Sequence, residues 1–129
     1  EIIRTAEIMK KNKLKFTFLH CVSIYPTPLE NANLNRLNFL KKISSNVGVS
    51  DHTNPNVDYF KNIALGISMG AKVIEKHFTI LPKDKTKDGP VSASPDQLKK
   101  ISDICKMKKD ELELYINENI PEKKNYVGK

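Results

Sequence analysis

Apolar residues along this chain alternate between two rhythms. In residues 1–13, Ile2, Ala6 and Met9, with Ile3 and Ile8 beside them, keep close to helical spacing. That stretch closes on Lys10-Lys11-Asn12-Lys13, where cations suit the C-terminal end of a helix dipole. Leu14 to Val22 is instead a compact run rich in Phe and Leu, stopped by Tyr25-Pro26-Thr27-Pro28, and reads as a buried strand and a turn. Residues 33–44 return to a helix face, with Leu34, Leu37, Leu40 and Ile43 three apart and Phe39 beside them. Val47-Gly48-Val49 predicts a very short strand. Asn54-Pro55 opens the next helix, with Val57, Phe60, Ile63 and Ile67 on one face and Gly70 as its stop. Lys72 to Thr79 predicts a third strand, and a polar loop runs from Pro82 to Ser92. Ser94-Pro95-Asp96-Gln97 combines an N-cap serine, a proline at the first helical position and a glutamine three after the cap. Leu98, Ile101 and Ile104 carry that helix on, and a further helical stretch covers about 108–117.

The predicted order is α-β-α-β-α-β-α. Short strands alternating with helices require right-handed crossovers and a parallel sheet, hence an α/β fold. Two architectures suit it: a very small doubly wound sheet, or the C-terminal three βα units of a TIM (β/α)8 barrel. Glu1 stands inside an amphipathic pattern that has no cap, which favours a fragment cut from the barrel. On that expectation residues 1–117 are barrel. Residues 118–129, with Pro121-Glu122-Lys123-Lys124-Asn125, are a linker.

Composition narrows the classes. The chain is 39% hydrophobic and 29% charged, as in ordinary globular proteins, and no stretch reaches the roughly 20 apolar residues of a membrane helix. A net charge of +7 raises the question of nucleic acid. The cations answer it: all are Lys except Arg4 and Arg36, they are scattered or mixed with acids, and no aromatic residues interleave them. They read as a solvated surface. Cys21 and Cys105 form no CxxC pair, which suits a reduced, cytoplasmic protein with both thiols as small core residues.

Candidate chemistry comes from strand parity. Successive side chains point to opposite faces, so Cys21, Ser23 and Tyr25 share one face as the first strand runs out. Gly48, Ser50 and His52 share one in the second, and Val73, Glu75, His77 and Thr79 in the third. If those faces coincide, Ser23, Tyr25, Ser50, His52, Glu75 and His77 meet at the C-terminal ends of parallel strands, where α/β proteins place their sites. Strands about 4.8 Å apart let His52 and His77 share one metal ion. His20 has the opposite parity and is expected to pack under a helix.

Leu19-His20-Cys21-Val22-Ser23-Ile24-Tyr25-Pro26-Thr27-Pro28, Ser50-Asp51-His52-Thr53, Val73-Ile74-Glu75-Lys76-His77-Phe78-Thr79 and Gly89-Pro90 together resemble the sialic acid synthase family (N-acetylneuraminate synthase-like). The match runs in order across about residues 14–100. It implies a (β/α)8 barrel followed by a small antifreeze-like domain, with this chain supplying the last three barrel strands. It also implies a transferase that condenses phosphoenolpyruvate with an N-acylated hexosamine to give a nonulosonic acid, working as a homodimer at full length. By position, His52 and His77 correspond to the ligands of a divalent metal, usually Mn2+, with Mg2+ or Co2+ as alternatives. Ser23 and Ser50 correspond to phosphoenolpyruvate contacts, Tyr25 to a residue beside the acceptor sugar, and Glu75 to an acidic catalytic position. Asp51 and Thr53 are expected to fix the His52 tautomer from behind.

One departure bears on the acceptor. The family often reads Gly-Pro-Asp where this chain has Gly89-Pro90-Val91, and Asp88 is the candidate to replace that aspartate at the sugar. Another metal-dependent barrel lyase or hydrolase, or a non-catalytic truncated product, are the alternatives. A hydrolase of that kind would normally show further ligands, such as a bridging carboxylate. The lysines that grip phosphoenolpyruvate in the family belong to strands outside residues 1–129, so the isolated chain is expected to be inactive. Phosphate release by the purified chain, with controls for contaminating enzyme, checks this; sugar-dependent release would refute it.

Overall fold

A computed structural model describes residues 1–128. Helix α1 (Ile2–Lys11) leads to β1 (Phe18–Cys21), then α2 (Arg36–Ile43), β2 (Val47–Asp51), α3 (Lys61–Ser68) and β3 (Val73–Lys76). Helices α4 (Pro95–Lys106) and α5 (Lys109–Asn119) follow, with single turns of 3-10 helix at Leu29–Asn31, Lys83–Lys85, Gly89–Val91 and Lys123–Asn125. The three strands form one parallel sheet in the order β1-β2-β3. The α/β alternation read from apolar spacing is therefore the fold.

The sheet is covered on one face. Val47 and Val49 point into the helix layer and are almost wholly buried, with Leu34, Leu37, Ile63, Ile101, Ile104, Leu112 and Ile116 closing the core around them. Helix α2 lies on β1 and β2, while α3 lies on β2 and packs against α4 and α5. Burying this apolar surface is the main favourable term in folding the unit. The capping box at Ser94 forms as its sequence predicts: the Ser94 hydroxyl accepts from the Gln97 N–H (3.4 Å) and the Gln97 amide oxygen from the Ser94 N–H (3.0 Å). Ile120 is buried in the core, and the Asn35 N–H donates to the Val127 carbonyl at 2.7 Å.

Four expectations change. The strand read over Leu14 to Val22 is only Phe18–Cys21; Leu14 is exposed, following Lys13 at positive φ. The helix placed at Asn54-Pro55 begins at Lys61, because Tyr59 and Phe60 adopt left-handed φ of 51° and 66°. Its supposed face residue Val57 is consequently exposed. Cys21 and Cys105 are exposed free thiols, not core residues, since one lies on the uncovered sheet face and the other on the outer side of α4. The third strand stops at Lys76, and the chain beyond it is held by a parallel bridge, Phe78 to Ala93.

The uncovered face carries the register row Leu19, Gly48, Val73. A Cβ on Gly48 would fall on the Val73 carbonyl and 2.6 Å from Leu19 Cδ2. The Leu19 tip can turn aside, but the Val73 carbonyl is sheet backbone, so relief requires moving a strand. Gly48→Ala is expected to destabilise the fold by roughly 1–3 kcal/mol, as overpacking does. Urea unfolding followed by circular dichroism measures it.

Candidate functional site

The uncovered face also carries the predicted site. Cys21, Ser50 and Glu75 occupy one register row across the three strands. Beyond them, where the strands run out, come Ser23, Tyr25, His52 and His77. The turn after β1 is fastened to the end of β2: the Thr27 N–H donates to the His52 carbonyl (2.8 Å), and the Thr27 hydroxyl to the Ile24 carbonyl (2.7 Å). This folds Tyr25 back over His52.

The two imidazoles lie 5.2 Å apart between ring centroids. His52 is 96% buried by its 4% exposure, and its Nδ1 faces the Val22 carbonyl at 3.1 Å. A carbonyl only accepts, so Nδ1 carries the hydrogen and Nε2 presents a lone pair. That lone pair takes the Tyr25 hydroxyl at 3.0 Å, and the Tyr25 and His52 rings approach to 4.1 Å. The Cys21 thiol sits 3.7 Å from the same Nδ1. His77 Nδ1 is 3.8 Å from Asp88 Oδ2, and its ring stands edge-on to Tyr25 at 6.0 Å. Ser50 donates a short hydrogen bond to Glu75 Oε2. The Tyr25 phenol is raised above its ordinary range, first by desolvation and then by Cys21, Asp88 and Glu75 nearby.

The structure thus brings together six of the seven residues singled out by sequence: Tyr25, Ser50, His52, Glu75, His77 and Asp88. Ser23 lies on the same face, exposed, with no side-chain hydrogen bond among the described residues. His20 turns to the other face as expected, its Nε2 2.7 Å from the Ala32 carbonyl. Asp51 and Thr53 do not touch the His52 ring. Their side chains have the opposite parity, and the Val22 carbonyl fixes the tautomer instead.

Sequence reasoning missed what lies behind the site. Lys76 and Asp51 form an ion pair at 2.6 Å with side chains 2% and 1% exposed. Asp51 also accepts from Asn62 Nδ2 (2.6 Å), and the Thr53 hydroxyl lies 3.0 Å from Asp51 and 3.1 Å from Asp58. Parity held the signal: Asp51 and Lys76 both face the helices, where a charge needs a partner.

The NeuB family model matches residues 1–113. A pseudaminic acid synthase of Campylobacter jejuni is 34% identical over 108 residues, covering 82% of this chain and 30% of the relative. An N,N'-diacetyllegionaminic acid synthase of the same species is 38% identical over 107 residues, covering 77% and 30%. The crystal structure of the spore coat polysaccharide biosynthesis protein SpsE from Bacillus subtilis superposes with a TM-score of 0.78 at 26% identity, over 99% of this chain and 35% of that one. The chain spans about 30% of the length of these curated relatives.

The buried carboxylates generate a pH dependence. Burial, then the Asp51 charge, pushes the Asp58 carboxyl from 3.8 up to about 6, against the Asn62 N–H, the Thr53 hydroxyl and Lys76. Between these values the folded chain holds a proton that the unfolded chain has released. The stability from that proton is full below about 3.8 and is lost as pH rises through about 6. The loss is on the order of 3 kcal/mol. Chemical denaturation at acid and neutral pH should show it, and Asp58→Asn should flatten it.

Proposed function

The chain belongs to the NeuB family, and from that premise we propose that it forms the metal-binding third of a synthase barrel joining phosphoenolpyruvate to an N-acylated hexosamine. The observation that carries this is the meeting of two histidines, a tyrosine, a serine and two carboxylates at the ends of adjacent parallel strands. The barrel itself is supported by the open sheet face. Leu19 and Val73, 37% and 42% exposed, flank Gly48 in one row, as side chains in a barrel interior are layered.

The donor set fits a divalent metal. The Val22 carbonyl leaves the His52 Nε2 lone pair outward, and the His77 ring stands beside it. Among the described residues no group of three or more His, Cys, Asp or Glu is placed to hold a metal ion, so the chain's share of the ligation would be the two imidazoles. Two imidazoles with open positions for water and substrate oxygens are the pattern of a catalytic site, and Mn2+ tolerates such mixed ligation. When bound, the ion supplies Lewis-acid polarisation of the acceptor's aldehyde oxygen.

The chain's own residues do the rest. His52 and His77 would hold the ion, and the Val22 carbonyl keeps His52 in the tautomer that leaves Nε2 free to ligate. The Ser23 hydroxyl donates to the carboxylate or phosphate of phosphoenolpyruvate, while the Ser50 hydroxyl, whose one O–H is given to Glu75, offers it there only on turning from Glu75. Glu75, bonded to Ser50, orients that hydroxyl. Tyr25 stands where the acceptor sugar would enter, and its hydroxyl occupies the His52 Nε2 position that an ion would take. Asp88, beside His77, receives a hydroxyl of the sugar. The reaction forms one carbon–carbon bond, adds water to the former enol carbon and releases phosphate. A nonulosonic acid is the product class.

The test is phosphate release from phosphoenolpyruvate with a panel of N-acylated hexosamines, using a polypeptide that carries all eight βα units. Release is expected to depend on both sugar and Mn2+. His52→Ala and His77→Ala should each lower Mn2+ affinity by at least the ~10–100-fold that losing an outer partner of a metal ligand costs. Release that ignores the sugar, or none with any sugar, rules out the synthase assignment.

A further inference from the structure

The strongest feature outside the assigned site is the buried cation behind it. Lys76 lies between Glu75 and His77, but its side chain crosses to the helix side of the sheet and reaches β2. There its ammonium has three N–H groups and meets three acceptors. These are Asp51 Oδ2 at 2.6 Å, the Thr53 carbonyl at 2.6 Å and the Asp51 carbonyl at 3.3 Å. The two carbonyls belong to the residues on either side of His52. One side chain therefore grips the main chain both before and after the first histidine, while its own backbone carries the second.

We propose that Lys76 is the positioning residue that fixes His52 and His77 against each other, with Asp51 anchoring its ammonium. The ladder of β2 and β3 ends at the Asp51–Lys76 pair, so His52 and His77 lie just past the last register contact. Without a tie, two strand ends beyond a ladder would move independently. The Lys76 contacts supply that tie where the ladder stops.

The anchor is itself held. Asn62 of α3 donates to Asp51 at 2.6 Å, and the Thr53 hydroxyl lies 3.0 Å from both Asp51 oxygens. The clamp thus runs from the helix layer through Asp51 and Lys76 to the rim. Lys76 touches neither the histidine rings nor the open face, so it acts through geometry alone. Outer groups that orient metal ligands in this way typically carry a ~10–100-fold share of metal affinity.

The proposal rests on His52 and His77 being metal ligands, and the experiment separates the two. The double variant Lys76→Met with Asp51→Asn removes both charges of the pair together, so neither is left without its partner; Lys76→Met with Asp51→Leu is the second variant should the first not fold. Folding is checked by circular dichroism. The metal-free protein is then examined by NMR for the Overhauser contact between the His52 and His77 rings, and Mn2+ binding is titrated. The expected result is a folded variant in which the ring contact weakens and Mn2+ affinity falls ~10–100-fold. Lys99→Met, which breaks the exposed Lys99–Asp103 pair of α4, should leave both unchanged. A folded variant with the ring contact and Mn2+ affinity of the wild type overturns the role of Lys76, as does an equal loss in Lys99→Met. If the wild type binds no Mn2+, the metal assignment fails, while the ring contact alone still decides Lys76.

Discussion

Everything in this structure depends on three parallel strands held in one register with side chains alternating across them. Phe18 faces Val47, Leu19 lines up with Gly48 and Val73, and Cys21 with Ser50 and Glu75. A shift of one residue in any strand would send its half of the pattern to the wrong face. Because Val47 and Val49 must be buried under the helices, the register is fixed by the core. The site on the other face inherits that register, so hydrophobic burial on one side sets the chemistry on the other.

The two faces differ electrostatically as well. On the open side stand two imidazoles, a phenol and hydroxyls, with carboxylates at the margin. On the helix side Asp51, Asp58 and Lys76 share a buried network with Thr53 and Asn62. Asp58 Oδ1 and Asn62 Oδ1 find no partner there among the described residues, and two carboxylates face a single ammonium. A proton on Asp58 makes the group electrically neutral, in keeping with its raised affinity for one. Such a network is costly to bury unless it is paired, and its pairing ends on the carbonyls either side of His52.

Much of the candidate site was legible because it follows from period two. Ser50, His52, Glu75 and His77 could be assigned to one face by counting, and His20 to the other. What counting could not reach involves groups brought together by turns. The Val22 carbonyl, and not Asp51 or Thr53, fixes His52, because the turn after β1 carries the main chain over the end of β2. Asp88 reaches His77 through a loop of two 3-10 turns with no periodic pattern. The start of α3 was misplaced for a related reason: Tyr59 and Phe60 take a left-handed backbone that no propensity favours.

By itself the sequence determined the order of elements, the parallel sheet, the capped start of α4 and the parity of the histidines, because these depend on spacing and local hydrogen bonds. Tertiary structure alone decided that both cysteines are exposed, that Tyr25 closes on His52, and that Lys76 clamps the strand ends. Those depend on which chain segments pack together, and burial is a property of the packed unit that no single stretch encodes. The two histidines belong to both accounts. Alternation aimed them at one face, and behind the other the ammonium of Lys76, the residue before His77, holds the main chain on both sides of His52.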